Sequence, residues 1–245
     1  PSLPGYGFSG KPAARGWDVE HIGRAWAELM RRLGYRRWGA QGGDWGAIVT
    51  TCMGGQAPEG LAGIHLNLPV ARRRREDFVD PTPEEQEAIA SGEHYKQWES
   101  GYSTQQSTRP QTIGYSLVDS PVGLAAWIYE KTWSWTDNAG RPEDALSRDT
   151  ILDNITLYWL AGTGASAARL YWESFGAIGK APPVLLPAAV STFPKEISKA
   201  PRKWSERILH NIVYWREAER GGHFAAWEQP ELFVRELRQG FATMR

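Results

Sequence analysis

The sequence predicts an α/β architecture in which a parallel sheet is interrupted by a long helical insert. Three observations carry this expectation. Strand-like and helix-like text alternates over residues 19–69. The alternation returns after Lys180. Between them, from Arg72 to about Gly179, the patterned segments have helical spacing and little strand text appears. Alternating strands and helices bury a parallel sheet between helical layers. The expected division is a first core part over 1–71, a mostly helical lid over 72–179 and a second core part over 180–245.

The elements follow in order. Pro1 to Gly7 is turn chemistry. Residues 19–34 have a helical period, with Ile22, Ala25, Trp26, Leu29, Met30 and Leu33 on one face. Asp18 is placed to cap the start and Gly34 to cap the end. Residues 37–41 suit a short buried strand, and apolar helical text resumes over 47–53. Residues 61–69 form a second strand candidate. Arg72 to Arg75 is read as a solvated face or a set of interdomain ion pairs. A helix is expected to start in Pro81 to Glu85 and run to about Tyr102, with others over 121–132, 146–161 and 165–177. Strands are expected at 183–192 and 212–215, and a surface helix at 230–240.

Bulk properties exclude several functions. The chain has 245 residues, enough for one domain with a substantial core. Its 28 Lys and Arg balance 28 Asp and Glu, so charge offers nothing to a nucleic acid. A single cysteine, Cys52, excludes a disulfide scaffold and a cysteine-based zinc site. No apolar run approaches the roughly 18–20 residues that cross a bilayer. A soluble, cytoplasmic protein is expected, and membrane attachment would need a segment upstream of Pro1. Thirteen tryptophans suit an apolar pocket.

The chemistry concentrates at Gly42-Gly43-Asp44-Trp45-Gly46, a G-x-D-x-G between a strand and a helix. Small residues on both sides allow a sharp turn that pushes the central side chain over the sheet edge. A carboxylate exposed there can attack carbon and form an ester. His223, in Gly221-Gly222-His223-Phe224, stands at a strand end between glycines and a phenylalanine. His21, His65, His94 and His210 lack that setting and are read as satisfied or surface histidines. Glu196 follows the 183–192 strand and is the best acid to orient an imidazole. Glu217 and Glu219 lie too close to His223 in sequence to reach it from another strand.

Six segments resemble the epoxide hydrolases of the α/β-hydrolase superfamily, in their microsomal and juvenile-hormone-type branch. They are Pro1 to Lys11, Gly42 to Gly46, Ser107 to Thr112, Asp119 to Trp127, Phe193 to Glu196 and Gly221 to Ala225. The resemblance implies an α/β-hydrolase fold with a helical cap inserted after the nucleophile. It implies that Asp44 attacks the epoxide and that His223, relayed by Glu196, activates water. It assigns Tyr102 and Tyr171 as donors to the epoxide oxygen, and the Trp45 backbone N–H as an oxyanion donor. Trp45, Trp127 and Phe224 would line the pocket, whereas Tyr115, Tyr129 and Tyr158 are expected in the core or in pocket walls. The partners are then a lipophilic epoxide and water, with no metal or organic cofactor.

The sequence departs from this family at its front. The family's upstream His-Gly-x-Pro oxyanion motif is absent, since no His-Gly dipeptide occurs. The chain is therefore expected to match the C-terminal two-thirds of such an enzyme, lacking its N-terminal strands. An exposed sheet edge and a lost oxyanion donor would make it poorly stable and weakly active alone. Two other readings compete. One is a haloalkane or haloacetate dehalogenase with the same Asp nucleophile. The other is an inactive, truncated hydrolase-fold protein.

Overall fold

The structure is a computed structural model that describes residues 1–177 and 182–244. The chain runs α1 (Val19–Arg32), β1 (Trp38–Gly42), α2 (Trp45–Gln56) and β2 (Leu61–Leu66). Six helices follow: α3 (Pro83–His94), α4 (Gly101–Thr108), α5 (Pro110–Asp119), α6 (Pro121–Trp135), α7 (Arg148–Ala161) and α8 (Gly164–Ser174). The core then resumes with β3 (Ala188–Thr192), α9 (Arg202–Ser205), β4 (Ile212–Glu217), α10 (Ala225–Glu228) and α11 (Pro230–Ala242). The expected boundary at 179–180 falls outside the described residues.

The four strands form one parallel sheet in the order β1-β2-β3-β4. Ala40 pairs with Ile64, Ile64 with Ala188, and Ala188 with Ile212. All the carboxyl ends therefore meet along one edge of the sheet, the usual place for a site in a parallel sheet. Alternation along β2 sends Ile64 and Leu66 to one face and His65 to the other. The first face packs on α1 and α2, through Ile22, Val49 and Met53. The second packs on α11, which comes so close that a Cβ on Gly240 would stand 2.8 Å from His65 Cδ2.

Local chemistry explains the helix ends. Asp18 accepts from the His21 N–H at 2.9 Å, and Gly34 follows α1 with φ +78°. Thr82 and Glu85 form a reciprocal capping box at α3. The helix expected to end near Tyr102 runs further, through a π turn at Tyr95–Glu99 and on to Thr108. Its last turns are rich in Ser, Thr and Gln, which reads as loop. There Ser103, Ser107 and Thr108 bond back to carbonyls of the preceding turn. Helix α5 was not expected, because Gly114 and β-branched residues weaken its local signal. Strand β3 starts at Ala188, not 183. Pro183 and Pro187 cannot donate to a ladder, and only Val184 makes an isolated bridge there.

The helical segment is tied to the core at both ends. Tyr6 OH donates to the Ala167 carbonyl at 3.0 Å, and Arg169 donates to the carbonyls of Pro12 and Ala14. At the other end Arg207 grips Asp77 with both guanidinium nitrogens, at 2.5 and 2.6 Å, and also reaches the Arg72 carbonyl. Asp77 is buried and Arg207 nearly so. Hydrogen bonds from Arg207 hold the Asp77 carboxyl down to about 2, against burial, with help from the Arg74 N–H.

Removing one partner of this buried pair strands the other charge. Asp77→Ala should lower unfolding free energy in urea by about 3–5 kcal/mol. The sign with pH follows from the depressed carboxyl. The pair's contribution is complete above the unfolded value of about 4 and is lost as pH falls through about 2. Equal stability of variant and parent at neutral pH would show that the pair does not anchor the insert.

Candidate active site

At the end of β1 the chain turns through Asp44 into α2. Asp44 has φ 47° and ψ −128°, a region that costs a non-glycine residue about 1–3 kcal/mol. Gly42 makes the turn possible, because a Cβ there would stand 1.9 Å from the Gly46 carbonyl oxygen. At Gly46, among the described residues, nothing lies within 4 Å of an added Cβ. The crowding expected on both flanks is therefore found at Gly42 and not at Gly46.

The turn aims the two oxygens of Asp44 differently. Oδ1 accepts from the Trp45 N–H at 2.7 Å. Oδ2 lies 3.1 Å from His223 Nε2. His223 Nδ1 lies 2.6 Å from Glu196 Oε1, which also accepts from the Ile197 N–H at 2.8 Å. Asp44 follows β1, Glu196 follows β3 and His223 follows β4, so three strand ends bring three sequence-distant residues into one line. His223 and Glu196 are buried, while the Asp44 side chain is 41% exposed.

Charge couples the line. Burial alone would push the His223 imidazole down. The Glu196 charge and hydrogen bonds to Asp44 and Glu196 outweigh it and hold the ring well above its ordinary range. Burial raises the Asp44 carboxyl, but the His223 hydrogen bond and charge, with the Trp45 N–H, leave it below the usual carboxylate value. In this state both ring nitrogens donate and both carboxylates accept.

The loop carrying His223 is held from beneath. The Glu228 carboxylate accepts from the N–H groups of Gly222, Phe224 and Asp137. Asp137 Oδ2 accepts from Gly221, and the Trp135 carbonyl accepts from the His223 N–H at 2.8 Å. The Trp135 ring stands edge-on to His223 at 5.1 Å. Sequence reasoning missed both Trp135 and Glu228. Trp135 is one of thirteen tryptophans and Glu228 one of many carboxylates, and neither lies in a motif.

Across the opening lie the two tyrosines assigned by resemblance. Tyr102 comes from α4 and Tyr171 from α8, with ring centroids 5.7 Å apart. Tyr171 stands edge-on to Trp45 at 4.9 Å, and Tyr102 OH lies 3.2 Å from Tyr95 OH. Burial, followed for Tyr102 by Tyr171 and Asp44 and for Tyr171 by Asp44, raises both phenols, so both stay protonated donors near neutrality. A cavity of about 470 Å³ holds Asp44, Trp45, Tyr171, His223 and Phe224. A second, of about 160 Å³, shares Tyr171 and Phe224 and adds Tyr102 and Trp127.

The other candidates separate cleanly. Tyr158 lines both cavities, as expected. Tyr115 and Tyr129 do not belong to core or pocket: they are 66% and 39% exposed on the outer faces of α5 and α6. Glu219 pairs with Arg235 at the surface, away from the line. His65 is buried, 3.1 Å from Ser191 Oγ. Among the described residues no cluster of three or more His, Cys, Asp or Glu side chains could hold a metal ion. Among them, too, no helix is long and apolar enough to cross a membrane.

A putative epoxide hydrolase of Stigmatella aurantiaca is 55% identical over 100% of this chain, which spans 56% of that protein. Epoxide hydrolase 1 of Sus scrofa is 35% identical over 98% of this chain, which spans 58% of it. The crystal structure of juvenile hormone epoxide hydrolase from the silkworm Bombyx mori superposes with a TM-score of 0.89 at 31% identity. That match covers 100% of this chain and 63% of the silkworm chain. No family model matches the chain. The relatives are epoxide hydrolases and the fold is that of the α/β-hydrolases. The chain spans a little over half the length of these curated relatives.

The electrostatics predict a protonated resting His223. Nitrogen-15 NMR should find imidazolium for His223 at neutral pH, and Asp44→Asn should lower its titration, because one of two carboxylates raising it is gone. A His223 that titrates near 6.5 in both proteins would contradict the coupling.

Proposed function

We propose that this site hydrolyses lipophilic epoxides to vicinal diols through an ester on Asp44. One observation carries the reading: a carboxylate on a strained strand–helix turn faces a Glu–His pair on one side and two half-buried phenols on the other. The helical segment over 72–179 then acts as the lid that supplies the phenols. Apolar walls from Trp45, Trp127 and Phe224 favour a lipophilic substrate.

The steps balance on these residues. Asp44 Oδ2 attacks one epoxide carbon, and the carbon–oxygen bond to the ring breaks. The leaving oxygen takes a proton from Tyr102 or Tyr171, and the hydroxyalkyl ester remains on Asp44. The ester removes the negative charge that helped to keep His223 protonated. The imidazolium then returns a proton to the ionised tyrosine and, as a neutral ring oriented by Glu196, takes another from water. Hydroxide adds to the Asp44 carbonyl carbon, with Oδ1 held by the Trp45 N–H. Collapse expels the diol oxygen as an alkoxide, which takes the proton from the His223 imidazolium; the new Asp44 carboxyl passes its own proton to the ring, and carboxylate and imidazolium are restored.

His223→Gln leaves the nucleophile but removes the base. Intact-mass spectra after incubation with an aryl epoxide should show a gain of the whole epoxide mass. Adding Asp44→Ala should abolish it. An adduct formed only with a haloalkane would assign dehalogenation. No adduct with either reagent would overturn covalent catalysis by this chain.

A further inference from the structure

Lys131 has no part in the chemistry described above, yet its side chain lies inside the substrate cavity. It projects from α6, is 13% exposed and lines the smaller cavity beside Tyr102 and Trp135. Its Nζ stands 4.8 Å from the Tyr102 ring centroid and 5.2 Å from that of Trp135. Its ionic partner is the adjacent Glu130, at 2.8 Å, whose side chain is 52% exposed. The ammonium thus keeps one half-solvated carboxylate and directs its remaining surface at two aromatic faces.

Both rings belong to the site. Tyr102 faces Tyr171 across the cavity, and Trp135 packs against His223 and is fixed at its far end by Nε1 donating to Glu99 at 2.9 Å. Tyr102 and Trp135 also touch each other, with centroids 5.2 Å apart. A cation is attracted to the face of each ring, which fixes their mutual orientation. A positive charge over a phenol also draws electron density from its oxygen and strengthens the O–H as a donor. That effect grows as negative charge develops on a bound oxygen.

We infer that Lys131 is a positioning residue for ring opening: its ammonium, set over Tyr102 and Trp135, orients the Tyr102 hydroxyl and polarises it toward the leaving oxygen. The inference rests on the epoxide reading of the site. It concerns the first step alone, because His223, Glu196 and the Trp45 N–H carry the second.

The test is rapid-mixing kinetics with an aryl epoxide, separating ester formation from ester hydrolysis. Lys131→Met keeps the length of the side chain and removes its charge. It should slow ester formation about tenfold while leaving hydrolysis of the preformed ester within about twofold. Lys131→Arg, which retains a cation over the rings, should restore most of the rate. In a Tyr102→Phe background Lys131→Met should have no further effect, because the hydroxyl it acts through is gone. Ester formation unchanged in Lys131→Met would overturn the inference. So would an equal loss in both steps, or a full effect in the Tyr102→Phe background. The parent protein separates this result from the wider reading: if it forms no ester with the epoxide the function is wrong, whereas a parent that reacts normally leaves only the role of Lys131 at issue.

Discussion

Asp44 sits where β1 becomes α2, with a backbone that an L-residue with a Cβ occupies at a cost. That constraint organises its surroundings. The turn closes only because Gly42 has no side chain to meet the Gly46 carbonyl. It directs the carboxylate out over the sheet edge, gives one oxygen to the first N–H of α2 and leaves the other toward His223. A carboxylate on a relaxed strand would lie in the sheet and face neither group.

The turn alone would leave a charge without a counterpart. The parallel register sets the ends of β3 and β4 beside the end of β1, so that Glu196 and His223 arrive without long side-chain reach. Three groups in one line exchange two negative charges for one positive, and forming an ester on Asp44 would change that balance. This is why the same imidazole can be protonated at rest and basic afterwards. Glu228 serves the line indirectly, spending its oxygens on backbone N–H groups so that the His223 loop keeps its shape. The helical segment contributes the opposite wall, and its attachment depends on ties such as Arg207 to Asp77.

Much of this was legible in the residues. Gly42 before Asp44, and the setting of His223 and Glu196 after apolar runs, reflect local backbone demands that sequence records directly. The 3.6-residue period of α1 and the cap at Asp18 are of the same kind. Other features depend on contacts that no local pattern encodes. The hydroxyl-rich end of α4 reads as loop until its back-bonding is seen. The apolar run from 183 suggests a long strand until its prolines are weighed. Tyr115 and Tyr129 face outward and Tyr158 inward, although identity and local text hardly distinguish them. Tyr102 and Tyr171 came from resemblance, because 69 positions separate two rings that meet only once the helices pack.

The central claim is that the Asp44 carboxylate, not water, opens the ring. A single turnover of excess protein with epoxide in oxygen-18 water tests it directly. The account predicts a first-turnover diol free of label, one oxygen coming from the epoxide and the other from Asp44, with the heavy isotope left in the Asp44 carboxylate. A diol carrying one oxygen-18 in every molecule of that first turnover, with an unlabelled Asp44, would mean that water attacks the epoxide itself and would contradict the account.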